Sequence, residues 1–139
     1  MSFIGYENFD LNKTLEKAKQ ENKTVLLYFS SIACVNCRKM EEMINENSKI
    51  KDAILEEYIF ITLMVDDRTP AEQELWKQSE FSKDTLRTIG KLNSQLQIEL
   101  TKTGHQPHFA ILTEDKKLVS TINFTEDKND LLKFIKRKE

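Results

Sequence analysis

VLLYFSSIACVNCRKM, Val25 to Met40, is the stretch on which the fold turns. It opens with VLLYFS, an apolar run of strand length that suits a strand covered on both faces. Cys34 and Cys37, the only cysteines in the chain, follow at once. After them Met40, Met43 and Ile44 recur at helical spacing. The two cysteines therefore straddle a strand-to-helix junction, with Cys37 in the first turn of the helix.

That setting has chemical consequences. At a helix N-terminus the unpaired backbone N–H groups and the dipole favour an anion. A cysteine thiol there drops from its usual pKa of about 8.5 towards neutrality or below. Three-residue spacing on a helix brings two sulfurs within bonding reach. Cys34 reads as the attacking thiolate and the more covered Cys37 as the thiol that resolves a mixed disulfide. Arg38 and Lys39 add positive charge nearby. Other readings exist for the pair. Two buried inert cysteines are one. A zinc site formed with His105 and His108 is another, although the usual histidine spacing on a helix is longer and Pro107 lies between these two. A third is an adaptor that binds extended peptides without turnover.

Outward from this junction the pattern continues. Asp10 is placed to cap a first helix with Leu11, Leu15 and Ala18 as its apolar stripe, ending near Glu21-Asn22. Ser48 is placed to cap a short helix with Ile50, Ala53 and Ile54 inward. YIFITLMV, Tyr58 to Val65, predicts a second fully buried strand. The polar region from Asp66 to Gly104 predicts helices over ELWKQ and over 86–100, with Gly90 a weak point. HFAIL, His108 to Leu112, is a third strand, EDKK a turn, and LVSTINF a fourth strand. Glu126-Asp127 open a last helix with Leu131, Leu132, Phe134 and Ile135 inward and Lys136-Arg137-Lys138 at its end, which suits the dipole. Tyr6, Phe9, Phe29 and Phe60 read as core, and Trp76 as packing within the polar region. The order gives an α/β protein: a βαβ unit joined to a ββα unit, a mixed central sheet with helices on both faces.

Composition excludes several classes. The chain has 139 residues, which fits a single domain over 1–139, and 39% hydrophobic against 32% charged residues fits a globular protein. A net charge of −2 argues against a nucleic-acid partner. No run approaches the length of a membrane span, and the N-terminus MSFIGYENFD has neither the basic nor the apolar part of a signal peptide.

Taken together, the motifs resemble the thioredoxin fold. They are most similar to the C-terminal periplasmic domain of DsbD-type thiol:disulfide interchange proteins. The likeness rests on CVNCRKMEE, the strand ending MVDD, TIGKLNSQLQ and GHQPHFAIL, and runs from about Tyr6 to the last helix. It implies an N-terminal extension helix and a helical insertion before a cis-proline strand. It also implies a protein-disulfide reductase that relays electrons in the periplasm, towards disulfide exchange or cytochrome c maturation; a cytoplasmic setting is the alternative. No cofactor is implied beyond the cysteine pair. The partners implied are protein thiols and disulfides, among them a membrane-embedded reductant domain, and the chain is expected to be a monomer. By the resemblance, Cys34 is the nucleophile, Cys37 the resolving thiol, Glu41 an acid that perturbs the cysteine pKa, and Pro107 the cis-proline. Val35, Asn36 and Gln106 would meet the substrate. The chain departs from the family where many members have a buried Asp six residues before the first cysteine, here Tyr28, and an aromatic just before it, here Ala33.

Overall fold

The computed structural model describes residues 11–79 and 84–137. In chain order its helices are α1 (Leu11–Glu21), α2 (Val35–Glu46), α3 (Ser48–Glu57), α4 (Ile89–Thr101) and α5 (Lys128–Ile135). The strands are β1 (Thr24–Ser30), β2 (Tyr58–Met64), β3 (Lys77–Gln78), β4 (Thr85–Leu86), β5 (His108–Leu112) and β6 (Leu118–Ile122). Four strands form one sheet in the order β2-β1-β5-β6, and β3 pairs with β4 in a separate ribbon. β1 runs parallel to β2 and antiparallel to β5, and β5 is antiparallel to β6, so the sheet is mixed. This is the thioredoxin fold. Among the described residues no helix is long and apolar enough to cross a membrane.

Period-two alternation along β1 divides the core. Leu26 and Tyr28 face α2, α3 and α5, packing with Met40, Ile44, Ile50, Ile54, Leu131 and Phe134. Val25, Leu27 and Phe29 face the other layer, with Leu15 and Ala18 of α1 and Leu96 and Leu100 of α4. A strand sandwiched in this way has to be apolar on both faces, which is why VLLYFS shows no alternation.

Local differences from the sequence reading have local causes. β2 lies at a sheet edge, so Ile59, Phe60 and Met64 are only partly covered. Asn47, not Ser48, caps α3: its side chain accepts from the Ile50 N–H. ELWKQ is not a helix. Gln73–Leu75 makes a single 3-10 turn and Trp76 is already extended. The Trp76 indole donates to the Ala71 carbonyl at 3.0 Å and its ring lies under Arg87, while Pro70 bridges to Thr88. These contacts fold the segment back on itself as the β3–β4 ribbon. α4 begins only at Ile89, with Thr88 as its cap. Gly90 is the point where α4 meets the end of β2: a Cβ there would stand 2.6 Å from the backbone N and O of Asp67 and 2.7 Å from the Val65 carbonyl. β6 ends at Ile122, so Asn123 and Phe124 of LVSTINF lie beyond it. Asp127 caps α5 through the Asn129 N–H at 2.8 Å. α1 ends at Glu21, where Asn22 takes a left-handed φ of 54°. Asp10 as a cap, Tyr6 and Phe9 as core, and Lys138 lie outside the described residues.

Candidate active site

β1 is a central strand, and it delivers the chain to one end of the sheet at Ser30. Four residues later Cys34 becomes the N-cap of α2, with φ −89° and ψ 108°. In that conformation its Sγ accepts the Cys37 N–H at 3.1 Å, the place an Asp or Ser oxygen takes at other helices. A thiolate at that position would take the same donor more strongly. Cys37 is wholly buried among Tyr28, Met40 and Phe109, while Cys34 is half-buried. The two are joined as a disulfide, with Cα atoms 5.2 Å apart. Val35 and Asn36 between them are exposed, and Val35 and Ile32 present apolar side chains to solvent beside Cys34.

Beneath the pair lies a polar network. Tyr28 stacks on Phe109, with ring centroids 4.3 Å apart, and points its hydroxyl along the sheet towards α2. That hydroxyl donates to Glu41 Oε2 at 2.7 Å and lies 3.3 Å from the Cys37 carbonyl. The Arg38 guanidinium reaches the same Oε2 at 2.8 Å and also donates to Ser30 Oγ at 2.9 Å and to the Ser31 carbonyl at 3.1 Å. Burial, then the Glu41 carboxylate it donates to, push the Tyr28 phenol well above its ordinary range, so it stays a neutral donor. Tyr28 occupies the strand position expected for a buried acid, and Glu41, one helical turn past Cys37, carries the carboxylate instead.

The loop between strand and helix is tied from the other side. Asp66, two residues beyond β2, accepts from Ser31 Oγ at 2.7 Å and from the Ile32 N–H at 2.9 Å. Desolvation is the largest single influence on its carboxyl and acts to raise the pKa. The hydrogen bonds from Ile32, Ser31, its own N–H and Ala33 outweigh that, and the net effect is below the ordinary carboxylate range.

The opposite wall comes from β5. Phe29 pairs with His108 in the antiparallel register, which brings Pro107 to the same end of the sheet as Ser30. The Gln106–Pro107 peptide bond is cis, and Pro107 is buried. Gln97 of α4, fully buried, holds this segment in place: its amide donates to the His105 carbonyl at 2.8 Å, and its Oε1 accepts from Gln106 Nε2 at 2.8 Å. His108 is buried with Nδ1 2.6 Å from Asn123 Oδ1. Burial lowers its pKa most; the Asn123 bond opposes this and His105 adds to it, leaving the net below the usual histidine value.

The structure thus groups Cys34, Cys37, Val35, Asn36 and Glu41 at the start of α2 and sets Gln106 and Pro107 at the same end of the sheet. It does not assemble the Cys34, Cys37, His105, His108 set as metal ligands. Among the described residues no three His, Cys, Asp or Glu side chains are placed to hold a metal ion. Sequence reasoning missed Asp66, Gln97 and the Ser30–Arg38 link. Asp66 was visible only as part of MVDD, and no local pattern says that an acid at a strand exit will reach a loop 35 residues away.

Comparison with known proteins agrees with this geometry. A family model described as a thioredoxin-like domain matches residues 11–136. No curated protein matches the sequence. Among solved structures the chain is similar to one described as DsbH oxidoreductase, at 16% identity and a TM-score of 0.69, over 99% of this chain and 84% of the other. It is similar to a disulphide isomerase from Xylella fastidiosa Temecula1, at 17% identity and TM-score 0.63, over 97% and 95% of the two chains. The oxidised DsbD C-terminal domain of Neisseria meningitidis gives 12% identity and TM-score 0.61, over 98% and 99%. At such identities the likeness speaks for the fold.

Proposed function

The chain belongs to the thioredoxin-like domain family, and from that premise we propose that it is a thiol:disulfide oxidoreductase acting as a protein-disulfide reductase. One observation carries this reading: Cys34 caps α2 through its sulfur and is disulfide-bonded to a buried Cys37 one turn along. In the reduced protein the Cys34 thiolate attacks one sulfur of a partner disulfide. That S–S bond breaks, its other sulfur leaves as a thiolate and takes a proton from water, and a mixed disulfide joins Cys34 to the partner. Cys37 then loses its proton and attacks Cys34 Sγ. The Cys34–Cys37 disulfide forms and the partner's second sulfur leaves as a thiolate that takes a proton from water, so two electrons have passed to the partner.

In this proposal Glu41 receives the Cys37 proton. It lies on the Cys37 face of α2, and both Tyr28 and Arg38 bind its Oε2, leaving Oε1 for that task. Gln106 and Pro107 face an extended partner segment, which pairs with the exposed backbone beside them, while Val35 and Asn36 flank the sulfur under attack. The finer assignment is a periplasmic relay of the DsbD type, a monomer reduced by a membrane-embedded dithiol domain and serving disulfide exchange or cytochrome c maturation. It is supported by CVNCRKMEE together with GHQPHF and by the fold shared with the Neisseria domain. No cofactor beyond the cysteine pair enters the cycle.

The test is turnover. Reduced protein should reduce a small disulfide-bonded protein and end as the Cys34–Cys37 disulfide, and Cys34→Ser should abolish this. Full function in Cys34→Ser would instead identify a peptide-binding adaptor.

A further inference from the structure

The loop Ser31–Ala33 sets where Cys34 stands, yet no apolar packing holds it. Ile32 is 63% exposed and Ala33 is exposed as well. Hydrogen bonds hold it instead. Arg38 takes the Ser31 carbonyl, and Asp66 takes the Ser31 hydroxyl and the Ile32 N–H. Asp66 is itself on a fixed base. The Val65 N–H donates to the Ser30 carbonyl at 2.9 Å, the Gly90 N–H donates to the Asp67 carbonyl at 2.9 Å, and the missing Cβ of Gly90 lets α4 close onto that backbone. A carboxylate on a rigid strand exit therefore grips a loop that would otherwise be loose.

Resting on the reading of Cys34 as the attacking thiol, we propose that Asp66 is a positioning residue of the reaction: it fixes the Ser31–Ala33 loop so that Cys34 Sγ stays over the N–H groups of α2. Two effects of the carboxylate oppose each other. As a clamp it keeps the thiolate where the helix end stabilises it, and as a negative charge it disfavours a thiolate nearby. The number and shortness of the bonds to the loop make the clamp the larger effect, since bonds to a charged acceptor are stronger than neutral ones. The sign of the outcome separates the two.

The experiment follows alkylation of Cys34 against pH by mass spectrometry in the reduced wild type, Asp66→Ala, Asp66→Asn and Asp67→Ala. Asp67 caps the Thr69 N–H and has no bond to the loop, so its variant is the control. Thermal unfolding of each oxidised protein checks that it is folded, as expected for changes at exposed or half-exposed sites. The clamp predicts a higher midpoint in Asp66→Ala, with the rate at neutral pH falling on the order of tenfold. Asp66→Asn, which keeps one acceptor, should fall between Asp66→Ala and the wild type, and Asp67→Ala should match the wild type. Equal lowering of the midpoint in both Asp66 variants would mean that the carboxylate acts only as a charge, and would overturn the proposal, as would an unchanged midpoint. A wild-type Cys34 with an ordinary midpoint of about 8.5 would defeat the parent reading rather than the role of Asp66.

Discussion

The Tyr28 hydroxyl donates to Glu41 Oε2 at 2.7 Å, from a strand position six residues before Cys34 to a helix position four residues after Cys37. This one bond links the sheet beneath the dithiol to the acid beside it. It ties the tyrosine beneath the dithiol to a carboxylate on α2 one turn past Cys37. The phenol, held neutral by burial, is a donor and not a base, which is why the proposed cycle assigns the Cys37 proton to Glu41.

Tyr28→Phe keeps the ring stack on Phe109 and deletes only the hydroxyl. The loss of a buried bond to a charged acceptor should cost about 1.5–3 kcal/mol in denaturant unfolding of the oxidised protein. Glu41→Gln should leave Cys34 attack intact and slow the resolving step on the order of tenfold or more, so that mixed disulfide accumulates in single-turnover gels. Equal slowing of both steps in Glu41→Gln would place Glu41 outside the proton path.

Gly90→Ala sets two effects against each other. Alanine gains about 1 kcal/mol in helix propensity. Its Cβ, however, would stand 2.6 Å from the Asp67 backbone, which has no flexible side-chain end to give way. Strain of about 1–3 kcal/mol should win and lower the unfolding midpoint. A more stable variant would show that α4 can slide away from the end of β2.

His108 makes stability depend on pH in a defined direction. Burial lowers its folded pKa below the unfolded value of about 6.5, so below that pH the unfolded chain binds a proton that the native state does not. Stability should fall as pH drops below about 6.5 and level off beneath the folded pKa. Urea midpoints measured in steps from neutral to mildly acid pH should show this slope, and His108→Gln should flatten it. A slope retained in the variant would assign it to other groups.

Some of this was legible in the chain and some was not, for physical reasons. VLLYFS and HFAIL read as strands because central strands are apolar on both faces, and the cysteines read as a helix start because Met40 and Ile44 follow in register. ELWKQ misled because its helical composition is overridden by Arg87 over Trp76 and by the Pro70–Thr88 bridge, contacts that bring distant residues together. Gly90 read as a weak point because a helix interior disfavours glycine, whereas its reason lies in the backbone of another element. α4 buries Asn93, Gln95 and Gln97, and polar residues inside a core make no apolar stripe. Asn93 donates to the Met64 carbonyl and Gln97 to that of His105, which is what those polar positions are for.

The central claim is that Cys34 attacks and Cys37 resolves. It is tested most directly by mixing reduced Cys37→Ser protein with a disulfide-bonded protein near neutral pH and looking for a covalent adduct. The account predicts a stable mixed disulfide through Cys34, released by a reducing agent and absent when Cys34 is also serine. A folded Cys37→Ser protein that forms no adduct, or a Cys34→Ser protein that forms one through Cys37 just as readily, would contradict it.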